Sequence, residues 1–371
     1  MPLTVLQLLP ELEVGGVEQG TLEIAEALVA AGHRALVVSG GGRMVEHLEA
    51  VGGEHHRLAV GRKHPSTLLL IRKLRELCRA ERVDVIHARS RLPAWIGYRA
   101  RNGMPGGIRP RWVTTVHGPY TVNRYSRIMV SGERVIAISD FIRDYIRTSY
   151  PDVPATKITV IPRGVDRERF AYGYQPSTTW MREWQASNSM LAGKQLLCLP
   201  ARLTRWKGQL DFIQLIAQLR ARNLPIHGLI VGGPHPRKRE FEVELKNTVA
   251  RLGLGAHISF LGQRSDLREI LAVSDFAFSL TREPEAFGRT TIEALSLGRP
   301  VVGYNHGGTG ELLRAVFPVG LIPIGDIDAA AARVVDLLAH CPPVPAVHGY
   351  TLSRMQQATL AVYADLVQAS D

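Results

Sequence analysis

The sequence predicts an α/β protein of two doubly wound, parallel-sheet, Rossmann-like domains. Three observations carry this. Short apolar runs with little polar alternation, as buried parallel strands show, alternate with segments whose apolar residues recur at helical spacing. Near the start a glycine loop joins a strand to a helix, and the second half again sets a loop between a strand and a helix start. The chain has 371 residues, 45% of them hydrophobic, enough to bury two cores of ordinary size.

The elements follow in order. Thr4 to Leu9 is an apolar run suited to a buried strand, and Glu11 to Gly16 is a loop ending in a glycine pair. Val17 to Ala31 carries Leu22, Ile24, Ala25, Leu28 and Val29 at helical spacing and stops at Gly32. Ala35 to Ser39 closes this first βαβ unit. Gly15 and Gly16, at the carboxyl end of the first strand, are candidates for close backbone approach by a ligand, while the absence of G-x-G-x-x-G gives no sign of a nicotinamide cofactor. Pro65 to Arg82 reads as a helix with a basic face, Val83 to His87 as a strand, and Arg89 to Arg101 as a second helical region. Trp112 to Val116 is a strand ending at His117 and Gly118, which aims the imidazole into the crevice where its nitrogens can meet a hydroxyl. Arg134 to Ser139 is a further strand, and Ser139 with Asp140 caps a helix running to Ser149. Pro162, Gly164 and polar neighbours between Pro151 and Phe170 fit a linker, with Arg163 and Asp166 lining it. Tyr172 to Ser189 is turn-rich and receives no element.

In the second half Gln195 to Pro200 is a strand and Gly208 to Arg220 a helix packed on a sheet. Between them Arg202 stands at the strand's end and Lys207 just before the helix. Two fixed cations and a helix dipole suit a diphosphate, against the bland reading of a solvated surface pair. Leu229 to Gly233, Phe241 to Leu252, Ile258 to Gly262, Gln263 to Val273 and Asp275 to Ser279 continue the alternation as strand, helix, strand, loop with short helix, and strand. Helices at Ile327 to Ala339 and Leu352 to Gln368 end the chain.

Residues 284–311, PEAFGRTTIEALSLGRPVVGYNHGGTGE, concentrate the chemistry. Glu285 precedes a small-residue turn. A short helix begins near Arg289 to Thr291, carries Glu293 one turn inside, and stops at Gly298 and Pro300. The free N–H groups and positive dipole end of such a helix start suit a phosphate, and Gly288 permits its approach. On one continuous helix the two acids would lie about 80° apart. With Glu285 in the loop they instead address different parts of one ligand, a sugar at one and a ribose at the other.

The bulk numbers exclude several classes. Three widely separated cysteines, Cys78, Cys198 and Cys341, give neither a disulfide framework nor metal-ligand spacing. The N-terminal stretch lacks a basic region, and no run reaches the ~18 apolar residues of a spanning helix. A soluble, cytoplasmic protein is the expectation. Net charge is +11. Residues 62–134 hold 16 Lys/Arg against 4 acids, so the first half is the cationic half; nucleic acid, an anionic membrane surface and an anionic acceptor are its candidate partners, against the bland reading of a set of solvated helix faces. Its aromatics (Trp95, Tyr98, Trp112) form no stacking series, which argues against nucleic acid.

The E-x7-E pair Glu285 and Glu293, with PEAFG before it, EAL-x-x-G-x-PVV after it and GGTGE beyond, resembles the motif of retaining GT-B glycosyltransferases of family four. The likeness extends to Gly15 and Gly16, the T-x-x-H-G pattern at His117, ITVIPRGVDRERF, Arg202 and Lys207, and the last helix. HARSRLPAW and THGPY resemble bacterial members that build lipopolysaccharide core or other envelope glycans. The resemblance implies a GT-B architecture of two Rossmann-like domains facing across a cleft. Residues 1–168 would bind the acceptor and 169–350 the nucleotide sugar, while the terminal helix (351–371) would cross back to the first domain.

The resemblance further implies transfer of a sugar from a nucleotide diphosphate donor with retention. Arg202, Lys207, His117 and Glu285 would be the catalytic groups. The donor would be held by Gly15, Gly16, Arg202, Lys207, Gly288, Arg289, Thr290 and Glu293, with His117 near the sugar's 6-hydroxyl and residues around 263–273 on the base. UDP-hexose is the expected donor, with GDP-mannose or ADP-heptose behind it. No D-x-D element stands where a metal would sit between carboxylates and diphosphate, so neither metal nor other cofactor is expected. The acceptor, a saccharide or lipid-linked saccharide, would meet Lys63, Arg89, Arg91, Arg124 and Arg127 in the cationic half, with the protein peripheral on the inner face of the cytoplasmic membrane. A basic nucleic-acid-binding protein, a phosphorylase or a GT-B sugar-nucleotide epimerase are the rival readings.

Overall fold

The computed structural model describes residues 2–13, 15–234 and 239–369. The chain divides into two compact units, one of Met1–Gly164 with Tyr350–Asp371 and one of Val165–Gly349.

Among the described residues the first unit holds a seven-stranded parallel sheet. Its strands are β1 (Thr4–Leu8), β2 (Arg34–Ser39), β3 (Glu54–Arg57), β4 (Val85–Ala88), β5 (Arg111–Val116), β6 (Arg134–Ala137) and β7 (Ile158–Val160), in the order β3-β2-β1-β4-β5-β6-β7. The order reverses between β1 and β4, where Leu6 pairs with Ile86, and a crevice opens at the carboxyl ends of strands at such a point. Helix Gly16–Ala30 follows β1 and buries Leu22, Ile24, Ala25 and Leu28. The terminal helix Leu352–Gln368 adds Met355, Val362, Tyr363 and Leu366 to the same core. Its first turn is capped by Thr351, whose Oγ1 accepts from the Arg354 amide at 3.3 Å. Gly164 admits this helix start, because a Cβ there would lie 2.3 Å from the Thr351 carbonyl oxygen.

The second unit holds β8 (Gln195–Pro200), β9 (Ile226–Val231), β10 (Ile258–Gly262), β11 (Phe276–Ser279), β12 (Val301–Tyr304) and β13 (Leu321–Ile322). These are parallel and ordered β10-β9-β8-β11-β12-β13. Here the reversal falls between β8 and β11. The segments leaving those two strands carry Arg202 with Lys207, and Glu285 with Gly288.

Several elements went unanticipated. Residues Thr178–Ser187 form a helix capped by Ser177, with Trp180 and Trp184 stacked at 5.1 Å and Trp180 Nε1 donating to Asp266 at 2.8 Å. The Trp180–Asp266 bond and the burial of Trp184, rather than a regular apolar periodicity, hold it. β3 reads Glu-His-His-Arg and is an edge strand with little apolar signal. β7 lies inside the segment expected to be linker. The GGTGE segment, quoted above only as part of the motif, opens a helix, Gly307–Val316, whose small residues let it press on a neighbouring loop.

Candidate active site

In the second unit the site is built on two glycine-started helices. Gly208 (φ 77°) precedes helix Gln209–Ala221, and Gly288 (φ 98°) precedes helix Arg289–Ser296. Only glycine suits Gly208, since a Cβ would fall 1.9 Å from the Leu280 carbonyl oxygen. That packing seats the strand-end loop of β8 against the chain leaving β11. Lys207 Nζ then donates to Glu285 Oε1 and lies 4.2 Å from the centre of the Trp206 ring. The side chains of this ion pair are 17% and 13% exposed.

Glu285 Oε2 lies 3.5 Å from where a Cβ of Gly288 would stand, so the carboxylate sits beside the helix start. The loop is fixed from behind by helix Gly307–Val316. The Gly308 amide donates to the Glu285 carbonyl oxygen at 2.7 Å, and a Cβ on Gly308 would meet the Phe287 backbone at 2.3 Å. The GGTGE segment therefore positions Glu285 through the backbone. Arg202 is exposed, and its carbonyl oxygen accepts from Gln209 Nε2 at 2.9 Å. Glu293 sits one turn inside its helix, as expected, with Arg289 Nε 3.6 Å from its Oε1. Thr290 shares that first turn and is half-buried.

Two further anchors were not foreseen. Asp211, 1% exposed, accepts from both Nε and Nη2 of Arg282 and from the Tyr304 hydroxyl at 2.7 Å. Burial and the neighbouring Asp211 push the Tyr304 phenol far up. His306 Nε2 lies 2.6 Å from the Thr281 carbonyl oxygen. Together they tie the approach to Glu285 onto helix Gln209–Ala221. The signal for the first was an acid in the opening turn of an otherwise apolar helix.

In the first unit His117 stands at the end of β5, as its position predicts. Its Nδ1 is 2.9 Å from Arg163 Nη2, and that nitrogen is also 3.4 Å from the Gly16 carbonyl oxygen. Arg163 thereby joins the two motif segments, glycine loop and T-x-x-H-G, that the chain separates. Burial first, then the charges of Arg163 and Arg89 and the neighbouring His87, hold His117 well below the usual imidazole range. His87 behaves likewise, between the Tyr363 hydroxyl and Thr115 Oγ1, each at 2.6 Å. Gly15 is extended (φ 169°, ψ 171°) and is the residue before the helix start.

The cations expected on the acceptor separate into groups. Arg89 requires correction: it is 2% exposed, with Nε donating to Gln7 at 2.8 Å, because the end of β4 turns its side chain into the core. It is a buried structural cation instead of a surface contact. Arg91 lies 5.0 and 5.4 Å from the Tyr120 and Tyr125 ring centres, with Nη1 3.3 Å from Ser126 Oγ. Arg127 is paired with Asp152, Arg124 is exposed on the same loop, and Lys63 is exposed on a separate segment after β3.

These arrangements define a class: a transferase of GT-B fold. Residues 14–169 match the model of Glycosyltransferase Family 4, and residues 181–343 that of Glycosyl transferases group 1. The chain belongs to this glycosyltransferase family. It is 35% identical to the lipopolysaccharide core biosynthesis mannosyltransferase LpsB of Rhizobium meliloti over 51% of the chain and 53% of that protein. With the N-acetyl-alpha-D-glucosaminyl L-malate synthase of Bacillus anthracis it shares 27% over 74% of the chain and 70% of the relative. The structure of a glycosyltransferase from Rickettsia africae ESF-5 matches 99% of both chains with a TM-score of 0.85 at 27% identity. Anabaena Alr3699/HepE, solved with UDP and glucose, matches 99% of this chain and 98% of its own at TM-score 0.76 and 22% identity, a likeness of fold.

Proposed function

We propose that the protein is a retaining glycosyltransferase that moves a hexose from a nucleotide diphosphate, UDP-hexose first, to a saccharide or lipid-linked saccharide of the cell envelope. The observation that carries this reading is the Lys207–Glu285 ion pair, which joins the loops leaving β8 and β11 and sits beside the helix start at Gly288. The bond between the anomeric carbon and the β-phosphate oxygen breaks, and its electron pair leaves with the diphosphate. The acceptor oxygen bonds to the anomeric carbon on the same face, and its proton passes to the departing phosphate. Fixed donors aimed at that growing charge are the main catalytic contribution. Arg202, Lys207 and the amides of Gly288, Arg289 and Thr290 supply them without a metal ion. Glu285 accepts from sugar hydroxyls and Glu293 from the ribose, and the first unit's own groups for a sugar are Gly15, Gly16 and His117.

GDP-mannose is the second reading, favoured by the 35% identity to a mannosyltransferase over half the chain. Melting measured against a panel of nucleoside diphosphates separates the two, since a ligand at a hundred times its Kd adds about 2.7 kcal/mol. UDP is expected to raise the melting point most. Release of nucleoside diphosphate should then require an acceptor. Steady release without one, or no response to any nucleotide, would overturn the reading.

Among the described residues no helix is long and apolar enough to cross a membrane. We place the protein peripherally on an anionic surface, through Lys63, Arg91, Arg124 and Arg127. Leu68 and Leu69 support this, being 64% and 71% exposed between Lys63 and Arg72. Flotation with anionic vesicles at low salt is expected, and equal recovery with neutral vesicles would refute it.

A further inference from the structure

Arg163 is only 6% exposed, in the segment that follows β7. The fold makes room for it. A Cβ on Gly20 would stand 2.2 Å from Arg163 Nη1, so helix Gly16–Ala30 carries a notch that this guanidinium fills. Its Nη1 lies 3.9 Å from Met355 Sδ of the terminal helix, and its Nη2 lies 2.9 Å from His117 Nδ1.

A guanidinium has five donors and no acceptor. The ring nitrogen it touches must therefore offer a lone pair, so Nδ1 of His117 is unprotonated. A neutral imidazole with its lone pair on Nδ1 keeps its one proton on Nε2. That Nε2 is enclosed and has no hydrogen-bond partner among the described residues. The charged and titratable groups facing this region are Arg163, His87 and Arg89, with Glu23 from helix Gly16–Ala30 and Tyr363 from the terminal helix acting on Arg89. The cations and the second histidine all oppose a charge on the ring.

We infer that Arg163 is a positioning residue that locks His117 as a neutral Nε2–H donor, so that the ligand group this histidine meets is a hydrogen-bond acceptor, a hydroxyl oxygen of the sugar substrate. The identity of that ligand rests on the glycosyltransferase reading above; the state of the ring does not. His117 then takes no proton during the reaction. Its contribution is selective, because an enclosed N–H left without an acceptor is costly where one is lost from the substrate. Sugars with a hydroxyl or fluorine at the matching carbon satisfy it, and deoxy or ammonium analogues do not.

The test is a long-range proton–nitrogen correlation on the full chain labelled with nitrogen-15, with His117 assigned by the loss of its signals in His117→Gln. A protonated Nε2 and an acceptor-type Nδ1, unchanged between about pH 5.5 and 8.5, are expected. A proton on Nδ1, or a titration inside that window in the wild-type protein, overturns the inference and needs no variant to fold. Arg163→Lys keeps a pure donor and should keep the Nε2–H form. Arg163→Met should release the ring to both tautomers and raise the sugar-nucleotide KM about tenfold, with a new pH dependence. An unchanged ring spectrum in a folded Arg163→Met protein would also overturn it. Single-position deoxy and deoxyfluoro donors complete the test: equal loss for both at every carbon refutes the donor role. Should the Nε2–H form be seen while no nucleotide sugar is turned over, the functional reading falls and the assignment of the ring stands.

Discussion

Lys207→Met, measured alone and with Glu285→Gln, separates what the ion pair does for the fold from what the cation does for the reaction. The side chains are 17% and 13% exposed. That places the pair between surface bridges worth about 0–1 kcal/mol and buried ones whose rupture costs about 3–5 kcal/mol. Removing the lysine leaves Glu285 charged and largely enclosed, so a loss of about 1–3 kcal/mol is expected. For a unit of this size that lowers Tm by about 3–10 °C. Glu285→Gln in the same background removes the stranded charge and should return most of the stability, which melting of the four forms reads as a double-mutant cycle. Turnover should behave differently. On the mechanism proposed above, withdrawing one charged donor from the leaving diphosphate should cost about 10²–10³ in kcat, and the second substitution should not restore it. The reasoning fails if Lys207→Met keeps kcat/KM within about threefold of wild type. It fails equally if the double variant recovers rate together with stability.

Gly208→Ala drives a Cβ to 1.9 Å from the Leu280 carbonyl oxygen at φ 77° and should cost about 2–4 kcal/mol in denaturant melts. Asp211→Asn removes the charge that holds Arg282 and leaves Tyr304 a weaker partner, so a lower Tm and a raised donor KM are expected, with kcat less affected. Acid sensitivity has a definite sign. Burial, then Lys194 and His257, lowers His227 to about 4 from an ordinary value of 6.5, while His87 and His117 lie well below that ordinary value. The unfolded chain therefore binds more protons between those two values, and stability should fall as pH drops through the window. His227→Gln, tested by melting across that range, should flatten the fall.

What the sequence disclosed and what it hid divide along a physical line. Buried parallel strands are long apolar runs and their helices repeat every three to four residues, so elements such as Gln195–Pro200, Ile258–Gly262 and Leu352–Gln368 are legible within their own windows. Glycines required by a left-handed turn or a close approach are legible for the same reason, and Gly208 and Gly288 stand where the loop pattern put them. Helix Thr178–Ser187 and strand β3 owe their existence to neighbours far along the chain, which no local window records. The same holds at the site. A cation at a strand end reads as a ligand contact whether it points outward, as Arg202 does, or into the core, as Arg89 does, because the rotation of one residue after a strand is set by what packs beneath it. The pairings Lys207 with Glu285 and Arg163 with His117 join residues 78 and 46 positions apart. Each member was legible as a polar residue of a strand end, a loop or the linker, but the partnership was not. Yet the partnership decides the chemistry: a lysine already held by a carboxylate is preorganised, and a histidine whose Nδ1 accepts from a guanidinium has only a donor to offer at Nε2. Motifs thus locate the backbone of this site, and the protonation states within it follow only from contacts that the fold creates.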